Sequence, residues 1–125
     1  LVVTARHREA LVAAGVSPDV VVASASDPDE PISGLPVDPD AWVVTEGARG
    51  GRVRAREGAW EPFRAWDPPG PPVDSYGCGD SFAAGLTVGL GRGLGLGDAI
   101  ELAARCGAAV LTGRGGLMAQ LREEL

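Results

Sequence analysis

Residues 74–85 read Asp-Ser-Tyr-Gly-Cys-Gly-Asp-Ser-Phe-Ala-Ala-Gly: two glycines around one small residue, then an acid and an amphipathic run. Gly77 and Gly79 allow a tight backbone turn close to a ligand. The amides of residues 77–80 would point outward at a helix N-terminus, where the helix dipole favours negative charge. The spacing predicts an anion hole for a phosphoryl group, with Asp80 as a base for an attacking hydroxyl. A loop with a first-turn acid and no ligand explains the same spacing equally well.

Two helices are predicted in the sequence that follows. The first continues to about Leu90, because apolar residues recur every four positions. Residues 89–97 contain five glycines and predict a turn. Asp98 is then expected to cap a second helix that ends near Leu111. Residues 117–123 are expected to form a short terminal helix.

The sequence before the proline-rich linker at 67–73 alternates short apolar strands with a short helix. In chain order we expect a strand at 1–4, a helix at 6–14, strands at 19–24 and 42–45, and a hairpin of strands at 52–56 and 59–65. Residues 25–40 are rich in proline and acid and predict a loop. This alternation favours parallel pairing, so the predicted fold is α/β, with a mainly parallel sheet flanked by helices and one hairpin.

The composition excludes several function classes. The chain has 125 residues and a net charge of −6, and all 11 of its basic residues are arginine. Without lysine it cannot form a P-loop, the strand lysine of a protein kinase or a Schiff base. A single histidine, His7, excludes His-rich zinc sites, and the acidic balance argues against a nucleic-acid partner.

The remaining sequence features indicate the cellular compartment of the protein and whether the chain is part of a longer one. Cys78 and Cys106 form neither a zinc pattern nor a disulfide framework, which favours a reducing cytoplasm. No run approaches 18 uninterrupted apolar residues, so no membrane span or membrane partner is expected. The chain starts at Leu1 in what reads as a strand already under way. We therefore expect it to be the later part of a longer protein, with a processed mature chain as the alternative.

Residues 74–85 resemble the C-terminal signature of the PfkB/ribokinase family of sugar and nucleoside kinases, Asp-Thr-x-Gly-Ala-Gly-Asp-x-Phe-x-x-Gly. Only Ser75 and Cys78 depart from the fixed positions, each a small residue for a small residue. Residues 43–50 resemble the family's strand and nucleotide loop, and residues 103–116 its late helix and turn beside the adenine. The resemblance covers about residues 1–120. It implies a partial ribokinase-like three-layer fold, the C-terminal nucleotide-binding and catalytic portion, without the N-terminal substrate and lid portion.

The resemblance also implies roles for single residues around the glycine pair. Asp80 is expected to be the base that deprotonates a substrate hydroxymethyl group for in-line attack on the γ-phosphorus of ATP. Gly77, Cys78 and Gly79 are expected to form the anion hole together with the amide of Asp80. The implied reaction is ATP-dependent phosphoryl transfer to a sugar or related small molecule. The absence of lysine is no obstacle, because positioning and Mg²⁺ supply much of such catalysis.

Other implied site residues lie outside the signature. Thr45, Gly47 and Gly50 are expected along the phosphates and ribose of the nucleotide, and Ala108 on the floor of the adenine pocket. The family often has Asn-x-x-Glu to organise magnesium through water, and here the nearest run is Asp-Pro-Asp-Glu at residues 27–30. Glu30 keeps the acid and is the candidate metal residue. A solvated acidic loop is the favoured interpretation of this run.

The sequence leaves several functional questions open. The expected partner is a small-molecule sugar or nucleoside, and a homodimer through the absent lid is a further expectation. The chain by itself is expected to be inactive. Two alternatives remain: a nucleotide-binding regulatory or interaction module without kinase activity, and a partner-binding α/β domain without a nucleotide site.

Overall fold

The computed structural model describes residues 1–122, and its contacts divide the chain into two compact units at the Arg64–Ala65 bond. The first unit is a five-stranded sheet in the order β1-β2-β3-β4-β5. The strands are β1 (Val2–Thr4), β2 (Val20–Ser24), β3 (Ala41–Thr45), β4 (Gly51–Ala55) and β5 (Glu61–Phe63). The first three strands pair in parallel, and β3, β4 and β5 pair antiparallel. The predicted parallel strands and the hairpin are thus confirmed.

The centre of this sheet follows from its sequence. β2 and β3 are apolar and largely β-branched, and the first four residues of each are buried. Such strands are typical of a sheet covered on both faces. β4 instead alternates arginine with smaller residues and is more exposed. The centre of the sheet therefore lies at β2 and β3, and the exposed edge of the sheet lies toward β5.

Helix α1 (Arg8–Ala14) packs on the first unit's core after a 3-10 turn at Ala5–His7. Leu11 joins Val21 and Trp42 in one buried cluster. Full burial of a leucine side chain such as that of Leu11 stabilises the folded state by about 1.5–3 kcal/mol. The helix ends at Ala14 and is followed by Gly15, which adopts φ +60°, a conformation that glycine reaches without steric cost.

The second unit is built on a helix pair, α2 (Cys78–Gly91) and α3 (Leu96–Val110). The helices run antiparallel and approach closely where small residues face each other. A Cβ added at Gly85 would lie 2.8 Å from the Cys106 sulfur, and one added at Gly89 would lie 3.0 Å from the Ala99 Cα. The glycines therefore permit the close packing that a larger side chain would prevent. Within the described residues, no helix is both long enough and apolar enough to cross a membrane.

Two sequence-based expectations about the second unit are wrong. Helix α3 begins at Leu96 after Gly95, so Asp98 does not cap it but lies in its first turn. The expected helix at 117–123 is not formed over residues 117–122, and residue 123 lies outside the described residues. Leu117 and Met118 are 84% and 76% exposed. Without an apolar surface to pack on, so short a helix does not offset its nucleation cost.

Candidate active site

The glycine pair forms the N-terminus of α2. Gly77 has φ +83°, in the left-handed region, and the helix begins at the next residue. The amide of Cys78 donates to the carbonyl oxygen of Ser75 at 3.2 Å, so the turn itself uses this donor. The amides of Gly79 and Asp80 occupy the second and third helical positions, which have no acceptor within a helix. These two amides remain at the positive end of the helix dipole, where they can bind an anion.

Asp74 joins this turn to a second one, the downstream turn (residues 113–116). Its Oδ1 accepts a hydrogen bond from the Tyr76 amide at 3.0 Å, and its Oδ2 accepts one from the Gly115 amide at 2.9 Å. The amides of Val73 and Asp74 also donate to the Leu111 carbonyl, at 2.6 and 3.2 Å. The segment before α2 and the segment after α3 are therefore hydrogen-bonded to each other at one end of the helix pair.

A cleft of about 600 Å³ lies between α2 and the downstream turn. The two walls touch at their base, where a Cβ added at Gly77 would lie 2.7 Å from the Gly116 Cα. The α2 wall includes Gly77, Asp80 and Ser81, and the opposite wall includes Arg114, Gly115 and Gly116. The Asp80 side chain is exposed, so its carboxylate is accessible to a ligand. The volume is in the range of small-molecule sites.

The two amide bonds lower the pKa of Asp74. The Tyr76 amide contributes most, then the Gly115 amide, and the nearby Arg114 charge acts in the same direction. Each stabilises the ionised carboxylate. The folded protein is therefore stabilised by this group only while the carboxylate carries its charge.

This shift predicts a pH-dependent stability. Because the folded pKa lies below the unfolded value of about 3.9, the stabilisation is present above that pH and is lost as the pH falls through the folded pKa. We expect Asp74→Asn to lower the free energy of unfolding at pH 7. The difference between wild type and variant should narrow below about pH 4. Urea unfolding at several pH values measures it, and a difference independent of pH would contradict the bonding described.

The Cys78 side chain is a partly buried thiol at the start of α2. Burial raises the pKa of the Cys78 thiol, and the negative charge of Asp74 raises it further. The side chain is therefore a neutral thiol at neutral pH, without the thiolate character of a reactive cysteine.

The residues expected along the nucleotide lie in the first unit, where β3 ends. Thr45 is the last residue of β3, and its hydroxyl donates to the Ala23 carbonyl at 3.3 Å. Gly47 and Gly50 follow within one tight turn with φ +61° and +88°, and the Glu46 amide donates to the Gly50 carbonyl at 2.8 Å. The structure thus brings these three residues into one glycine-dependent turn.

A family model described as pfkB family carbohydrate kinase matches residues 33–120. The chain belongs to this family. The matched segment contains both the 74–85 signature and the turn after β3, so the resemblance inferred from these motifs is confirmed. No curated protein sequence matches the chain at a significant level.

Solved kinase structures share the fold of this pfkB family chain. A nucleoside kinase from Burkholderia thailandensis, in complex with ADP-inosine, is 21% identical, with a TM-score of 0.69 over 94% of this chain and 48% of the other. A fructokinase from Vibrio cholerae O395, bound to fructose, ADP and calcium ion, is 26% identical, with a TM-score of 0.64 over 81% and 37%. A microbiome-derived acarbose kinase is 26% identical, with a TM-score of 0.69 over 96% and 51%. The chain spans about half or less of the length of these structures.

The acidic run expected to organise magnesium lies before the matched segment and is paired with an arginine. Arg6 forms ion pairs with both Asp27 and Glu30. The second carboxylate oxygen of Glu30 accepts the Ser24 amide at 2.7 Å. Among residues 1–122 no three acidic, histidine or cysteine side chains are grouped as metal ligands. These residues do not fit a direct magnesium site of the pfkB chain, and the organising role of Glu30 stays a prediction.

Ala108 lies near the C-terminal end of α3 and is buried, as are Ala109 and Val110. Its place on the floor of an adenine pocket stays a prediction.

Sequence reasoning assigned no role to Asp74 or Arg114 of this pfkB signature region. The hydrogen bond from the Tyr76 amide to Asp74 could have been predicted from the sequence, because an aspartate in a turn often accepts a hydrogen bond from the amide of the residue two positions later. The hydrogen bond from the Gly115 amide joins residues 41 positions apart, and no sequence pattern indicated it.

Proposed function

We propose that this chain carries the catalytic base and anion hole of an ATP-dependent carbohydrate or nucleoside kinase. The observation that carries the proposal is the cleft, because the accessible Asp80 carboxylate that lines it lies at a helix N-terminus where the amides of Gly79 and Asp80 have no acceptor within the helix. Phosphoryl transfer needs this pairing of a proton acceptor with donors for phosphate oxygens. Membership of the pfkB family supports it.

The proposed reaction transfers the γ-phosphoryl group of ATP to a hydroxymethyl group. The Asp80 carboxylate accepts the hydroxyl proton as the substrate oxygen forms a bond to the γ-phosphorus. The bond from that phosphorus to the β–γ bridging oxygen breaks, and ADP leaves with the electron pair. The amides of Gly79 and Asp80 stabilise the negative charge on the equatorial oxygens during the transfer.

The nucleotide contacts belong to the same proposal. Thr45, Gly47 and Gly50 would contact the phosphates and ribose, and Ala108 the adenine. Because the described residues form no direct magnesium site, the nucleotide phosphates and water would supply the ligands of Mg²⁺. When bound, the ion neutralises phosphate charge. The ADP in the fructokinase and nucleoside kinase complexes supports a nucleotide site.

The substrate class that we propose is supported by chemistry and by the similar structures. A base beside an anion hole serves any primary hydroxyl presented to it. The nucleoside kinase was solved with inosine and the fructokinase with fructose, which supports a sugar or a nucleoside. We propose such a small molecule as the acceptor.

A nucleotide-binding module without kinase activity is the second candidate. The neutralisation of Asp27 and Glu30 by Arg6 favours it, because it leaves the acidic run without an uncommitted carboxylate pair.

The test is ADP release from magnesium-ATP by the complete protein, with sugars, sugar phosphates and nucleosides as acceptors. A kinase should release ADP with one acceptor class and none without it. ATP binding with no release on any acceptor would favour the second candidate. An unchanged melting temperature in saturating magnesium-ATP would contradict both, because a ligand of the native state raises it.

A further inference from the structure

Arg114 stands across the cleft from the proposed base. Among residues 1–122, Asp80 and Arg114 are the two charged residues that line the cleft. Arg114 belongs to the downstream turn, whereas Asp80 belongs to α2. The cleft therefore presents one acid and one guanidinium from opposite walls.

The backbone fixes the wall that carries Arg114. The next residue, Gly115, donates its amide to Asp74 at 2.9 Å, and the one after it, Gly116, lies against Gly77. The turn with Arg114 is thus tied to the turn that opens α2. The backbone that carries Arg114 is therefore fixed against the turn that opens α2, in one wall of the cleft that Asp80 also lines.

Arg114 is exposed, and within residues 1–122 it has no carboxylate within the 4 Å of an ion pair. By contrast, Arg6, Arg52 and Arg56 each pair with an acid. Asp74 lies near enough to Arg114 for the arginine charge to lower the pKa of Asp74, but both carboxylate oxygens of Asp74 accept hydrogen bonds from backbone amides. The Arg114 guanidinium is therefore available to a ligand.

Charge balance identifies that ligand. Asp80 repels an anion in the cleft, and a chain of net charge −6 without lysine has only arginine to offset this. A guanidinium binds phosphate oxygens in a bidentate manner, with its planar fork matched to two of them. We propose that Arg114 binds the terminal phosphates of the nucleotide, opposite the α2 amides. This inference rests on the proposed function and adds a phosphate-binding residue to the same site.

The experiment compares a ligand with phosphates and one without. In the complete protein, titration calorimetry measures binding of a non-hydrolysable ATP analogue and of adenosine. We expect Arg114→Gln to weaken analogue binding about tenfold to a hundredfold and adenosine binding less than about twofold. Arg114→Lys, which keeps the charge but loses the fork, should lie between. Arg105→Gln is the matched control, because Arg105 is exposed on α3 and does not line the cleft.

A second measurement needs no variant. The wild-type protein is treated with phenylglyoxal, which modifies arginine, and the Arg114 and Arg105 peptides are followed by mass spectrometry. The analogue should slow modification of Arg114 and leave Arg105 unaffected, and adenosine should slow neither.

The outcomes separate this inference from the proposed function. Wild-type affinity for the analogue in Arg114→Gln, or an equal loss for analogue and adenosine, overturns the role of Arg114 and leaves the kinase proposal standing. Modification of Arg114 at the same rate with and without bound analogue also overturns the role of Arg114 and leaves the kinase proposal standing. A wild-type protein that binds neither ligand and releases no ADP overturns both.

Discussion

Asp80→Asn in the complete protein is expected to lower kcat for phosphoryl transfer by about a hundredfold to ten-thousandfold, the usual contribution of a general base. Asparagine keeps the size of the side chain but cannot accept the hydroxyl proton. ATP affinity should not fall, because the amides of Gly79 and Asp80 are unaltered and the substitution removes a negative charge that repels the phosphates. Steady-state ADP release and direct nucleotide titration measure the two quantities separately.

The chain offers a matched control for this variant. Asp98 follows a glycine at the third position of α3, as Asp80 does in α2, and each is the acid in the first turn of its helix. Both substitutions remove the same dipole interaction, about 0.3–1 kcal/mol. Only Asp80 lines the cleft. Asp98→Asn should therefore keep its kcat, and an equal loss in both variants would show that Asp80 acts through helix stability rather than proton transfer.

Gly77→Ala is expected to damage both stability and catalysis. An alanine at φ +83° costs about 1–2 kcal/mol in backbone strain. Its Cβ would lie 2.7 Å from the Gly116 Cα, a backbone atom, and relief of that overlap costs about 1–3 kcal/mol more. Because the relief separates the two walls of the cleft, kcat should fall by about a hundredfold or more, as on loss of an oxyanion donor.

Gly93→Ala measures the cost of backbone strain in the absence of the steric overlap expected in Gly77→Ala. Gly93 has φ +81°, nearly that of Gly77, yet a Cβ added there meets nothing within 4 Å. Urea unfolding should show a loss of about 1–2 kcal/mol for this variant and a clearly larger one for Gly77→Ala. Equal losses would mean that the contact between Gly77 and Gly116 does not hold the cleft walls together.

Local periodicity accounts for what was predictable in the first unit. β2 and β3 are short apolar runs with no alternative to burial, and the residues of β4 alternate around a turn. The parallel pairing of β1, β2 and β3 and the β4–β5 hairpin were predicted from these patterns, whereas the antiparallel pairing of β3 with β4 was not. The signature at residues 74–85 also predicted the start of α2, since the positive φ of Gly77 requires the residue found there.

The failures have a tertiary cause. Helix α3 begins at Leu96, before Asp98, and its first turns pack on α2, where Gly89 lies against Ala99. Residues 117–122 had apolar side chains suited to a helix, but Leu117 and Met118 meet no surface that would bury them. Propensity is a weak guide where packing supplies most of a helix's stability.

The sequence by itself determined the sheet's strands, the helix with its glycine-bounded N-terminus and the family, because each depends on residues close together in the chain. Only the tertiary structure decided what faces that helix N-terminus. Asp74 and Gly115 are 41 residues apart, and their hydrogen bond brings Arg114 to the cleft opposite Asp80. A bond across such a separation leaves no local pattern, since it depends on the packing of α2 and α3 side by side.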